Sequence, residues 1–91
     1  MDKAEAKLLL GRELNAFAAL SYSELAGKIG RIEVKTLAGE SGAVYQIEID
    51  VLRDDRPDGN LLILASIDNG GWHAFLPLTE SRIKRTDGTL I

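Results

Sequence analysis

The stretch from Gly42 to Leu78 leaves this chain few ways to fold. After Gly42 it reads AVYQIEIDVLRD, DRPDGN, LLILASID, NGG and WHAFLPL: three apolar-rich runs parted by two strong turn signals. Alternating runs rich in Val, Ile, Tyr, Phe and Trp, bounded by Asn, Asp, Gly and Pro, are strands joined by hairpins. The stretch predicts a three-stranded antiparallel meander. Everything before Gly42 must lie on that sheet or extend it.

Alternation assigns the faces. From Arg31 to Leu37, Ile32 and Val34 are expected on the inner face, with Arg31, Glu33 and Lys35 outside. Gly39–Gly42 is expected to be a four-residue loop. In the second strand Tyr45, Ile47, Ile49 and Val51 face inward; in the third, Leu61, Ile63, Ala65 and Ile67 do. Arg56-Pro57-Asp58-Gly59 suits a type I turn with Gly59 as a left-handed bulge residue. Asn69-Gly70 carries the type I′ signature, which sends Trp72, Ala74, Leu76 and Leu78 inward on a fourth strand. These turns pair Val34 with Ile47, Ile49 with Ile67, and Ile67 with Trp72. All set apolar against apolar, and a one-residue slip would turn a strand inside out.

Residues 2–20 predict a helix, with Ala6, Leu10, Leu14 and Phe17 forming one apolar stripe and Asp2 and Glu5 at its positive end. Ser21 and Glu24 have the spacing of a capping box, and Leu20 and Leu25 that of a hydrophobic staple, so 22–29 is expected to be a short second helix. Asp87-Gly88 predicts a last turn before Thr89-Leu90-Ile91. The expected fold is one α+β domain over residues 1–91. A helix and a shorter helix pack on one face of a four-stranded antiparallel meander, followed by a hairpin-like tail.

Composition narrows the functional classes. The chain has 91 residues, a net charge of −3 and no cysteine, so thiolate metal sites and disulfides are excluded. The acidic balance argues against nucleic-acid binding. Its basic segment, Arg82, Lys84 and Arg85, lacks interleaved aromatics and is at most a weak nucleic-acid site, the second alternative function. No run is long enough to span a bilayer. No secretory leader is evident, and the cytoplasm is the expected location.

The expected outer face holds the candidate sites. Arg31, Asp50, Ser66 and His73 share one row, but Ser66 lies between His73 and Asp50, the wrong order for a triad. An Arg31–Asp50 ion pair is the plainer reading. Glu33, Glu48 and Asp68 form a second row, a carboxylate cluster able to hold a hard cation, supply an acid/base pair or dock a basic partner. Glu48 and Asp68, with His73, are the candidates for a ligand or metal site or an enzyme. At the other end lie Leu52, Leu62, Leu64 and Phe75, an apolar cluster with no reason to face water. No catalytic set, metal site or cofactor is implied.

SIDNGGWHAFLPLTES, with the downstream TDG and the earlier LSYSELAGKIG and YQIEIDVLRDDRPDGN, is similar to small uncharacterised bacterial proteins of about this length. The resemblance implies a stand-alone bacterial protein and carries over no catalytic residue. In layout the helix and meander also resemble the cystatin-like arrangement, without its QVVAG-type loop. The expected function is a non-catalytic protein-interaction module acting through the outer sheet face. Its apolar cluster is covered either by Ile83, Leu90 and Ile91 of the tail or by a second copy in a homodimer.

Overall fold

The structure, a computed structural model, describes residues 2–54, 59–70 and 77–91. Two helices, α1 (Lys3–Ala18) and α2 (Tyr22–Ala26), precede four strands: β1 (Glu33–Ala38), β2 (Val44–Arg53), β3 (Leu61–Asp68) and β4 (Leu78–Lys84). The strands form one antiparallel sheet in the order β1-β2-β3-β4. The fold is α+β, as the hydrophobic periods require.

α1 begins where Asp2 Oδ1 accepts the Glu5 N–H at 3.1 Å, satisfying one of the helix's free amide donors. Its buried stripe is Ala6, Leu9, Leu10, Leu14 and Ala18, lying chiefly over β3 and β4. α2 is capped by Ser21, whose Oγ accepts the Glu24 N–H and donates to Glu24 Oε1, both at 3.1 Å. It stops at Ala26 rather than Ile29, because residues 27–30 tighten into successive turns ending at Gly30, whose φ is 81°. Tyr22 donates its hydroxyl to Gly59 O at 2.6 Å, tying α2 to the end of the β2–β3 loop. The core is closed by Leu25, Tyr45, Ile47, Val51, Leu61, Ile63 and Ile67, all essentially inaccessible to solvent.

Glu5 clamps the start of α1 to the β1–β2 turn. Its carboxylate accepts the Ser41 hydroxyl at 2.6 Å, the Tyr45 hydroxyl at 2.8 Å and the Ser41 N–H at 3.0 Å. These bonds, Ser41's hydroxyl foremost, hold Glu5 below the usual carboxylate range. The same carboxylate, by accepting its proton in a hydrogen bond, pushes Tyr45 up to about 12, with burial adding to the effect.

The registers differ from expectation in three ways. Between β1 and β2, Glu33 pairs with Ile49, Lys35 with Ile47 and Leu37 with Tyr45, one residue away from the expected pairing. The cause is Gly42. With φ at 88° it adds a residue to the turn, while Gly42 N–H bonds Gly39 O and Gly39 N–H bonds Ala43 O. This is a type I turn followed by a left-handed bulge, and it turns β1 over: Ile32 and Val34 are exposed and Glu33 and Lys35 lie on the helix side.

Between β2 and β3, Ile47 pairs with Ile67, Ile49 with Ala65 and Val51 with Ile63. The shift is by two residues, so the faces survive. Gly59 does not take the expected positive φ; the loop closes instead where Asp54 N–H bonds Asn60 O. Between β3 and β4, Ile67 pairs with Leu78, not Trp72. A type I′ turn needs positive φ at both central residues, and Asn69 lacks it. Asp68 Oδ1 instead accepts the Gly70 N–H at 2.8 Å. Leu78 faces the core as expected; Trp72, Ala74 and Leu76 lie outside the described residues.

Candidate functional site

The sheet face turned away from α1 follows from the pairings. Leu52, Leu62 and Ile83 oppose one another across β2, β3 and β4. The tail lengthens this row. After the Asp87-Gly88 turn, which repeats the Gly42 geometry with φ at 89°, Leu90 bridges to Lys84 and the Ile91 N–H bonds Ile83 O at 3.0 Å. Thr89 donates its hydroxyl and its N–H to Asp87, holding that carboxyl below its ordinary range. The tail thus adds to the β4 edge; of the two covers expected for the apolar cluster, this is not the tail folding back across it.

One row further along β2, Asp50 opposes Leu64, which opposes Ser81. Ile32, just upstream of β1, continues that row by the β1–β2 register. The next row is Val34, Glu48, Ser66 and Thr79, and beyond it Thr36, Gln46 and Asp68. Leu52 and Leu64 remain 41% and 38% exposed, and Ile32 and Val34 more so. Leu52, Leu62 and Leu64 therefore come together as expected, while Phe75 lies outside the described residues. Ile32, Val34 and Ile83 belong to the same face. The signal for the first two was the second glycine of Gly39-Glu40-Ser41-Gly42, at the position a bulge turn requires.

The polar candidates disperse. Glu33 lies on the helix side, its Oε1 2.8 Å from Lys28 Nζ. Glu48, Asp50 and Asp68 stay on the outer face but in separate rows, and Arg31 has been carried away from Asp50 by the β1 register. Asp50 and Ser66 no longer share a row, and His73 lies outside the described residues. Among the described residues no group of carboxylates or histidines is arranged to hold a metal ion. The outward-facing charges of the described strands are all negative, and neither Glu48 nor Asp50 has an ion-pair partner among the described residues.

The basic segment is engaged with α1. Arg82 Nη2 lies 3.2 Å from Asn15 Oδ1 and 3.7 Å from Glu80. Lys84, only 6% exposed, donates to Ala18 O at 2.9 Å and so neutralises the negative end of α1. Arg85 reaches Thr89 Oγ1 within the last turn. Sequence reasoning placed these residues in a tail; they are β4 and its hairpin, and they do not form a shared patch.

Both sheet edges are guarded. The tail occupies part of the β4 edge. On β1, the charges of Glu33 and Lys35 point toward the helix layer, pairing with Lys28 and with Glu13 at 3.1 Å, a device that discourages edge-to-edge pairing. Between α1 and β1 these pairs flank a groove of about 540 Å³ walled by Phe17 and Leu20 over Ile47 and Ile49. Lys28 Nζ sits 5.6 Å from the Phe17 ring centre, so the groove's cations are already occupied. No helix is long and apolar enough to cross a membrane among the described residues. In comparison with known proteins, the chain matches no family model, and no curated protein or solved structure matches it significantly.

Proposed function

We propose that this chain is a non-catalytic protein-interaction module, acting in the cytoplasm, that docks protein through the outer face of its sheet. The observation that carries the reading is the row Leu52, Leu62 and Ile83, set beside exposed Leu64, Ile32 and Val34 on the face opposite α1. Apolar side chains gathered on one flat face mark an interaction site. Guarded edges and occupied basic residues direct association toward this face. A second copy of the chain is the first partner to test. Light scattering and pull-down with wild type and Leu64→Lys decide the matter. Association lost in Leu64→Lys, with its melting point retained, supports the reading; wild type that neither self-associates nor captures a protein refutes it.

The alternative, a ligand or metal site using Glu48, Asp68 and His73, has less support, since Glu48 and Asp68 sit in separate rows. Its test is a thermal-shift screen with divalent cations and metabolites, where a shift abolished by Asp68→Ala would revive it.

A further inference from the structure

The outer face restricts what can cover it. Four strands at ~4.8 Å spacing are roughly 19 Å wide. The apolar end, little more than two rows deep, therefore offers on the order of 200 Å² against the ~800 Å² per partner of a stable interface. A two-fold pairing confined to that end is too small. Extended over the sheet centre, it buries Glu48 and Asp50, which have no ion-pair partner among the described residues, in an interface whose matching strand positions carry no cation. Carboxylates buried without cations are strongly disfavoured. The occupant must bring apolar and cationic groups together.

The exposed side of α1 has that chemistry. Leu8 is 71% exposed, flanked by small Ala4 and Gly11 and by Lys7 and Arg12; Glu80 of β4 also borders this surface, its carboxylate 3.7 Å from Arg82. Lys3, Lys7 and Arg12 make no ion pair among the described residues, whereas the acidic residues of the helix are engaged: Glu5 with Ser41 and Tyr45, Glu13 with Lys35. The helix thus presents a cationic, shallow apolar surface on one side of the molecule, and the sheet an anionic apolar one on the other. At ~1.5 Å per residue its length is close to that of the strands it would cross.

We propose that the occupant of the outer sheet face is the exposed side of α1 from a second copy, docked head to tail. This rests on the reading of that face as a docking surface. Leu8 enters the cluster of Leu52, Leu62 and Leu64, while Lys7 and Arg12 approach Asp50 and Glu48. Such a contact joins two different patches, so each copy keeps one of each free and association does not stop at two chains unless a ring closes. It also weakens with salt.

Sedimentation and light scattering on the full chain test this with a sheet variant, Leu64→Lys, and a helix variant, Leu8→Glu with Arg12→Glu, each first checked for an unchanged circular dichroism spectrum. Wild type is expected to grow beyond a dimer with rising concentration and to shrink at high salt. Each variant alone is expected to be monomeric, and their equimolar mixture to form one-to-one dimers, because each supplies the patch the other lacks. A wild-type dimer unaffected in the helix variant overturns the proposal but leaves the docking face standing. Variants that stay monomeric when mixed overturn it, as does a wild type that is monomeric throughout. Association undiminished in Leu64→Lys removes the docking face itself.

Discussion

Replacing Gly42 with Ala tests the turn on which the outer face depends. Gly42 has φ at 88°, and a Cβ built there meets nothing within 4 Å. The substitution therefore carries no steric term from neighbours, only the cost of holding an L-residue in the left-handed region, ~1–2 kcal/mol. Part of the gain and loss cancels differently in the unfolded chain, where Ala has less freedom than Gly, worth ~0.4–1 kcal/mol in favour of the variant. The net expectation is a loss of about 1 kcal/mol, a fall in Tm of roughly 4–8 °C for a domain of this size. Gly88, with φ at 89° and equally open surroundings, supplies an internal comparison: Gly88→Ala should cost the same. Thermal denaturation followed by circular dichroism reads both. An unchanged or higher Tm for Gly42→Ala would refute the bulge and with it the β1 register. Val34→Asn then discriminates independently. On the outer face it should shift stability by less than about 0.5 kcal/mol; were Val34 inside, the loss would reach ~1.5–3 kcal/mol.

Other outcomes can be stated from the geometry. Lys84→Met should lower stability by about 1–2 kcal/mol in urea denaturation, because Ala18 O loses its partner at the negative end of α1. Leu14→Ala, at a fully buried position of α1, should cost ~2–5 kcal/mol, with calorimetry as the readout. Tyr22→Phe removes the bond to Gly59 O and should cost about 1 kcal/mol, visible as faster amide exchange at Asn60. Glu5 has a depressed folded-state pKa, so its contribution is present above the ordinary value of 4.5 and disappears as pH falls through the folded value. The acid limb of the Tm–pH profile should accordingly flatten in Glu5→Gln. Tyr45 has the opposite sign: its contribution is complete below 10.0 and is lost as pH rises through about 12, which tyrosinate absorbance can follow.

Helix positions, the first three strands and the inner faces of β2 and β3 were legible because burial imposes periods of 3.6 and 2 that a sequence displays directly; β4, at Leu78–Lys84, falls largely where a tail was expected. What failed was turn geometry. A two-residue error between β2 and β3 left every face intact, whereas the single residue absorbed by Gly42 exchanged Val34 for Lys35. Apolar residues at Ile32 and Val34 looked like core since they alternate; they alternate on a strand whose charged side is held by ion pairs rather than by burial. Asn69-Gly70 misled for a related reason: Asp68 offers Gly70 N–H a side-chain acceptor, Asn69 lacks the positive φ of a type I′ turn, and Ile67 pairs with Leu78. The basic run at Arg82–Arg85 resembled a tail because alternation of apolar residues is absent there; its inward positions are satisfied by α1's polar groups instead. The apolar cluster was visible from Leu52, Leu62 and Leu64, but the roles of Ile83 and Ile91 depended on knowing where β4 begins.

The charged helix-side face of β1 bears on how the sheet breathes. Apart from Leu37, β1 secures itself by backbone bonds to β2 and by partly exposed ion pairs, which resist opening far less than buried apolar surface does. Residues 33–38 should therefore form a separate low-stability unit, exchanging their amide hydrogens through excursions that leave β2, β3 and α1 closed. Ile32 and Val34 travel with that unit. The rim of the docking face would then be ordered only part of the time in the free chain, and a bound partner would be felt first as slowed exchange along β1, even where it touches only side chains.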